Sequence, residues 1–101
     1  MSERVVLVVS VWLQEGQVAA FEEFEREIAK IQQRHGGKIE RAIRITSGSP
    51  DAPFEVHVVS FPDAASLAAY RADPGMQALA ERRARIFRRT EIVEGRDVPP
   101  Y

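Results

Sequence analysis

Apolar residues alternate on both faces of the segment from Arg4 to Leu13: Val5, Leu7, Val9 and Val11 on one, Val6, Val8 and Trp12 with Ser10 on the other. Such a stretch predicts a strand that is covered on both sides. The period then changes. Between Gln17 and His35, Val18, Phe21, Phe24, Ile28 and Ile31 recur at intervals of three and four, the single apolar stripe of a helix. Glu22, Glu23, Glu25 and Glu27 crowd its first half, while Lys30 and Arg34 lie near its end, the order that the helix dipole favours. Gly36-Gly37 supplies the left-handed residue that closes a helix. Lys38 to Thr46 reads as a second strand, with Ile39, Ile43 and Ile45 on one side and Arg41 interrupting them, and residues 47–53 have loop composition.

The second half repeats the order. Phe54 to Phe61 alternates, with Phe54, Val56, Val58 and Ser60 on one face and Glu55, His57, Val59 and Phe61 on the other. Pro62-Asp63 opens a helix with Asp63 as its cap. Asp73-Pro74 breaks that helix and starts a further helical segment along Met76, Leu79, Arg83 and Ile86. A fourth strand is expected from Phe87 to Val93. The order βαββαβ predicts an α+β, ferredoxin-like sandwich: an antiparallel four-stranded sheet with both helices on one face. The other face, taken to carry Val6, Val8 and Phe61, then needs a cover, and a second copy packed sheet to sheet provides one.

The 101 residues make one domain, expected over 1–95 with an extended tail over 96–101 in which two prolines keep Tyr101 within reach of a partner subunit. A chain this short buries only about two-thirds of its unfolded surface, so association helps it. The hydrophobic share of 45% and charged share of 29% are those of a soluble globular protein. A net charge of -1 offers no field to steer the chain to nucleic acid or anionic lipid. The lack of cysteine excludes disulfides, thiol catalysis and thiolate metal sites, and fits a reducing compartment. The apolar run from Val5 to Val9 is too short to span a bilayer and leads into charged helix without a small-residue cleavage site. The expectation is a cytoplasmic protein with neither membrane nor nucleic-acid partner.

His57 is the leading candidate for chemistry. It lies mid-strand between valines, and Glu55 shares its face, where a carboxylate orients an imidazole or acts as its acid–base partner. The alternative is a structural hydrogen bond across the sheet or an interface, with Arg41 or Arg44. His35 continues the stripe of the first helix and reads as a helix-end histidine against the last carbonyls. With two histidines and no cysteine, no metal site is expected. Trp12, Phe21, Phe24 and Tyr70 are candidates for an aromatic pocket wall, against a reading as core (Phe21, Phe24) or dimer seam (Trp12). Arg82, Arg85 and Arg89 share a helical face, if the helix extends that far, and form with Arg83 and Arg88 either an anion site or a solvated helix end. No phosphate-binding glycine loop, nucleotide fingerprint or serine elbow is present.

The run Arg34-His35-Gly36-Gly37-Lys38, the corner Ser60-Phe61-Pro62-Asp63, the helix from Ala64 to Tyr70 and Asp73-Pro74, taken in order, resemble the dimeric α/β-barrel superfamily. The similarity is to its short uncharacterised bacterial members and its antibiotic-biosynthesis-monooxygenase-like branch. It spans residues 4–95, and its motifs specify fold more than activity. The resemblance implies a homodimer whose sheets form a barrel, with a pocket in each subunit. It also implies a cofactor-independent enzyme, of monooxygenase or isomerase type, acting on a hydrophobic, aromatic or polyketide-like metabolite. A deprotonated phenol reacts with oxygen directly or isomerises, so no metal or flavin is expected. His57, Glu55 and Tyr70 are the expected catalytic residues; Trp12, Phe21 and Phe24 would bind substrate. Haem degradation, which relies on an Asn, Trp and His set, is set aside because the chain has no Asn. The chlorite-dismuting branch is much longer. The rival reading is a non-catalytic homodimer that binds a metabolite or a protein partner.

Overall fold

The alternation at the start of the chain becomes β1 (Val5–Leu13), a central strand of the computed structural model, which describes residues 3–101. Met1 and Ser2, the first positions of the domain expected over 1–95, lie outside the described residues. Helix α1 (Val18–Arg34) buries Phe21, Phe24, Ile28 and Ile31 along the predicted stripe. It closes in a Schellman turn: Gly36 takes φ +75°, and the N–H of Gly37 donates to the Gln32 carbonyl at 2.7 Å. The chain continues through β2 (Lys38–Arg44), β3 (Glu55–Phe61), α2 (Ala64–Arg71), α3 (Pro74–Gln77), α4 (Ala80–Ile86) and β4 (Phe87–Gly95). Asp63 caps α2 by accepting from the Ser66 N–H, and Asp73 caps α3 by accepting from the Gly75 N–H.

The sheet order is β2-β3-β1-β4 with every pair antiparallel, so the chain has the α+β ferredoxin-like fold. Register places Val5 opposite Phe61, Leu7 opposite Val59, Val9 opposite His57 and Val11 opposite Glu55. This face meets the helices. Leu7, Val59 and Phe61 pack with Ile31, Leu67 and Tyr70, and Val11 packs with Phe21, Phe24, Ile28 and Ile86. Each large apolar side chain buried there contributes roughly 1.5–3 kcal/mol.

Several sequence expectations need correction. Phe61 does not share the outer face with Val6 and Val8: paired with Val5, it is buried beneath the helices. Ile39 and Ile43 do not face the same way, because a bulge between Ile39 and Arg41 inserts Glu40 and reverses the parity; Ile39 pairs with Val59 and Ile43 with Val56. The inserted Glu40 accepts a hydrogen bond from Ser60 Oγ at 2.6 Å. β2 ends at Arg44 rather than Thr46, and β4 runs on to Gly95. The helical segment after Asp73 is divided into α3 and α4. Residues 96–101 have no helix or strand.

The outer face carries Val6, Val8, Val56 and Val58 between Ile43 and Val93. Val8, Ile43 and Val93 are exposed by 38%, 40% and 62%. Among the described residues, no helix is long and apolar enough to cross a membrane.

Candidate active site

The alternation that buries Val59 and Phe61 also carries Glu55 and His57 to the helix face, since residues two apart on a strand point the same way. Only 5% of His57 and 8% of Glu55 is exposed. His57 Nε2 lies 2.5 Å from Glu55 Oε2. From the neighbouring strand β2, Arg44 donates to Glu55 Oε1 through Nε at 3.0 Å and approaches it with Nη2 at 2.8 Å. The Arg44 guanidinium rests 4.7 Å above the Phe54 ring. Held by that guanidinium, Glu55 accepts the Nε2–H of His57, which leaves Nδ1 as the ring nitrogen turned toward α1.

Nδ1 faces a second carboxylate. Oε1 of Glu25, from α1, stands 3.8 Å away. Burial pushes the Glu25 carboxyl above the usual range and the charge of Glu55 adds to the rise, while His57 and Arg83 oppose it. An imidazole between two carboxylates, one clamped by arginine and one biased toward protonation, is arranged for proton transfer.

His57 and Glu25 line a partly open cavity of about 150 Å³ between the sheet and the helices. Its apolar wall includes Leu7, Val9, Val59, Phe24, Ile28 and Met76; Glu25, Gln32, His57, Tyr70 and Arg83 supply polar atoms. Burial raises the Tyr70 hydroxyl above its ordinary value, opposed by the Gln32 amide and by Arg83. Gln32 Oε1 is buried with no hydrogen-bond partner among the described residues. Thr90 and Ile92 of β4 complete the lining. Arg71, Met76 and Arg83 continue into an adjoining open groove with Gln77 and Ala80.

Of the residues singled out in the sequence, His57, Tyr70 and Phe24 line this cavity, with Glu55 behind His57. Phe21 does not line it; 1% exposed, it packs against Phe54 and Phe87 and supports the His57 ring at 6.2 Å. Trp12 does not line it either. It lies on the other face of β1, donates its indole N–H to the Asp51 carbonyl at 2.9 Å and is covered by Arg89. His35 pairs with Asp73 through its side chain rather than with the last carbonyls of α1. The arginine cluster disperses: Arg82 pairs with Glu27, Arg89 belongs to β4, and Arg83 alone reaches the cavity. Sequence reasoning passed over Glu25 and Gln32, and it placed Arg83 in a basic cluster rather than in a cavity wall. A signal for the first two was available, since both lie one position from stripe residues (Phe24 and Ile31) and so flank the buried face of α1.

Among the described residues, no three His, Cys, Asp or Glu side chains are grouped to hold a metal ion. No protein-family model matches the chain, and no curated protein matches it. Solved structures do. A protein of unknown function from Rhodopseudomonas palustris superposes with a TM-score of 0.81 at 13% identity, covering 99% of this chain and 86% of its own. A proposed antibiotic biosynthesis monooxygenase from Nitrosomonas europaea gives 0.75 at 16% identity, with 99% and 95% covered. A dabb family protein with a ferredoxin-like fold from Mesorhizobium loti gives 0.72 at 16% identity, with 95% and 98% covered. At these identities the likeness is one of backbone, and it establishes the ferredoxin-like fold found among such proteins as the fold of this chain.

Proposed function

We propose that the chain is a cofactor-independent enzyme that moves a proton on a small hydrophobic metabolite held between sheet and helices. The observation that carries this reading is the contact of His57 Nε2 with Glu55, which leaves Nδ1 beside Glu25 in the cavity wall. Nδ1 takes the proton from an acidic O–H or C–H, and the bond's electron pair stays on the substrate. Glu55, still anionic and held by Arg44, stabilises the imidazolium. The Glu25 carboxyl and the Tyr70 hydroxyl are the donors available to the developing anion. Return of the proton at another carbon is an isomerisation. With dioxygen as oxidant, an activated CH₂ becomes a carbonyl, one oxygen atom entering the product and the other leaving as water. Engineered cavities of roughly 150 Å³ take up benzene, so this cavity suits one aromatic ring better than a polycyclic body.

The test is turnover of single-ring phenols and enolisable carbonyl compounds, with and without oxygen uptake, by the wild type and His57→Gln. Loss of a general base lowers the rate by roughly 10²–10⁴-fold. Unchanged turnover by a folded His57→Gln chain would refute the reading. A non-catalytic, metabolite-binding role is the second reading, supported by the way Arg44, Glu55 and His57 tie β2 to β3; on that reading His57→Gln lowers Tm and no turnover exists to lose. We also propose a homodimer joined through the outer sheet face, on the strength of the exposed strip at Val8, Ile43 and Val93.

A further inference from the structure

The cavity is apolar within and cationic at its mouth. Arg83 lines both the cavity and the adjoining groove, lying over Phe24 at 5.4 Å and Phe87 at 5.7 Å. Among the described residues it has no carboxylate within ion-pair distance, unlike Arg82, which pairs with Glu27. Arg71 lines the same two spaces, and its one ion pair, with Glu94 at 4.0 Å, is loose and exposed. Two guanidiniums thus flank one opening, one stacked on aromatic rings and the other weakly engaged. An arginine stacked on rings keeps its N–H edge free for a planar anion. Glu25 is the opposing charge within the cavity; it lies toward His57, beyond the mouth.

A separate observation points to a bound molecule. Gln32 Oε1 is buried without a partner, and its residue lines the cavity. A buried acceptor left unsatisfied is costly, and a ligand hydroxyl within the cavity would satisfy it.

We infer that the substrate is a ring-sized acid, its ring inside the cavity with a hydroxyl toward Gln32 and its carboxylate between Arg71 and Arg83. This rests on the cavity being the substrate site, but not on His57 being a base. The probes are 4-hydroxybenzoate and its neutral near-isostere 4-hydroxybenzamide, titrated into isotope-labelled protein and followed by amide chemical shifts of Val9, Val59, Thr90 and Ile92. The acid is expected to bind at least about tenfold more tightly, as for a charge-assisted pair. That preference should shrink severalfold in Arg83→Met, which removes the guanidinium but keeps a long apolar side chain, and in Arg71→Gln, an exposed position that decides the matter if Arg83→Met does not fold. His57→Gln should retain it, so a failed base assignment leaves this result standing. Equal affinity for acid and amide, no binding of either at millimolar concentration, or a preference undiminished in a folded arginine variant would overturn the inference.

Discussion

His35 and Asp73 meet through Nε2 and Oδ2 at 2.7 Å, joining the C-terminal end of α1 to the N-terminal end of α3. The same carboxylate caps α3 through the Gly75 N–H at 2.8 Å, and Arg34 approaches it at 3.4 Å. Because α3 brings Met76 to the cavity wall, this clasp holds one side of the candidate site.

Acid should loosen the clasp. The hydrogen bond from His35, the Gly75 N–H and the Arg34 charge hold the Asp73 carboxyl below the usual carboxylate range. Its contribution to stability is therefore complete above the unfolded value of about 3.9 and is lost as pH falls through the lower folded value. Asp73→Asn is expected to melt below wild type at neutral pH, with the difference closing under acid conditions. Thermal melts across that range would contradict the assignment if the difference stayed constant.

Glu25 should behave in the opposite sense. Burial raises its carboxyl, so the stability associated with its protonated form is complete below the unfolded value of about 4.3 and is lost as pH rises through the folded value. Glu25→Gln is expected to melt above wild type at pH 8, with no advantage near pH 4. A variant less stable than wild type at pH 8 would show that the charged carboxylate is well accommodated.

Gly37 is expected to resist any side chain. A Cβ there would meet Phe61 Cε1 at 2.5 Å and the Gln32 carbonyl oxygen at 2.9 Å, both within the packed interior. Gly37→Ala should cost about 1–3 kcal/mol, the range for overpacking, read by chemical denaturation. A cost well under 1 kcal/mol would mean that the corner between α1 and β2 yields easily.

Val8→Lys tests the proposed dimer. The position is 38% exposed on the outer face, so a lysine there leaves the interior intact but desolvates a charge if a second sheet covers it. The variant is expected to sediment as a folded monomer where the wild type sediments as a dimer. A wild type that is monomeric at all concentrations would remove the dimer proposal.

The pairing of Glu55 with His57 was legible because residues two apart on a strand share a face, whatever that face meets. The side of the sheet was not legible. β3 alternates apolar and mixed residues without marking which set lies under the helices, and Phe61 was accordingly misplaced. The bulge at Glu40 carries no local signature, so Ile39 and Ile43 looked equivalent until their partners were known. Trp12 looked like a pocket residue by type, yet its position in β1 puts it on the opposite side from His57.

By itself the sequence determined what neighbouring residues decide: the strand and helix periods, the caps at Asp63 and Asp73, and the left-handed turn at Gly36. It also determined the βαββαβ order and, through it, the ferredoxin-like fold. Only the tertiary structure decided the site. Glu25 and Gln32 come from α1, Arg83 from α4, Tyr70 from α2 and His57 from β3. Local backbone geometry restricts each residue through its immediate neighbours, whereas which distant side chains share a cavity depends on strand register and helix placement. Those are settled by packing the whole core at once.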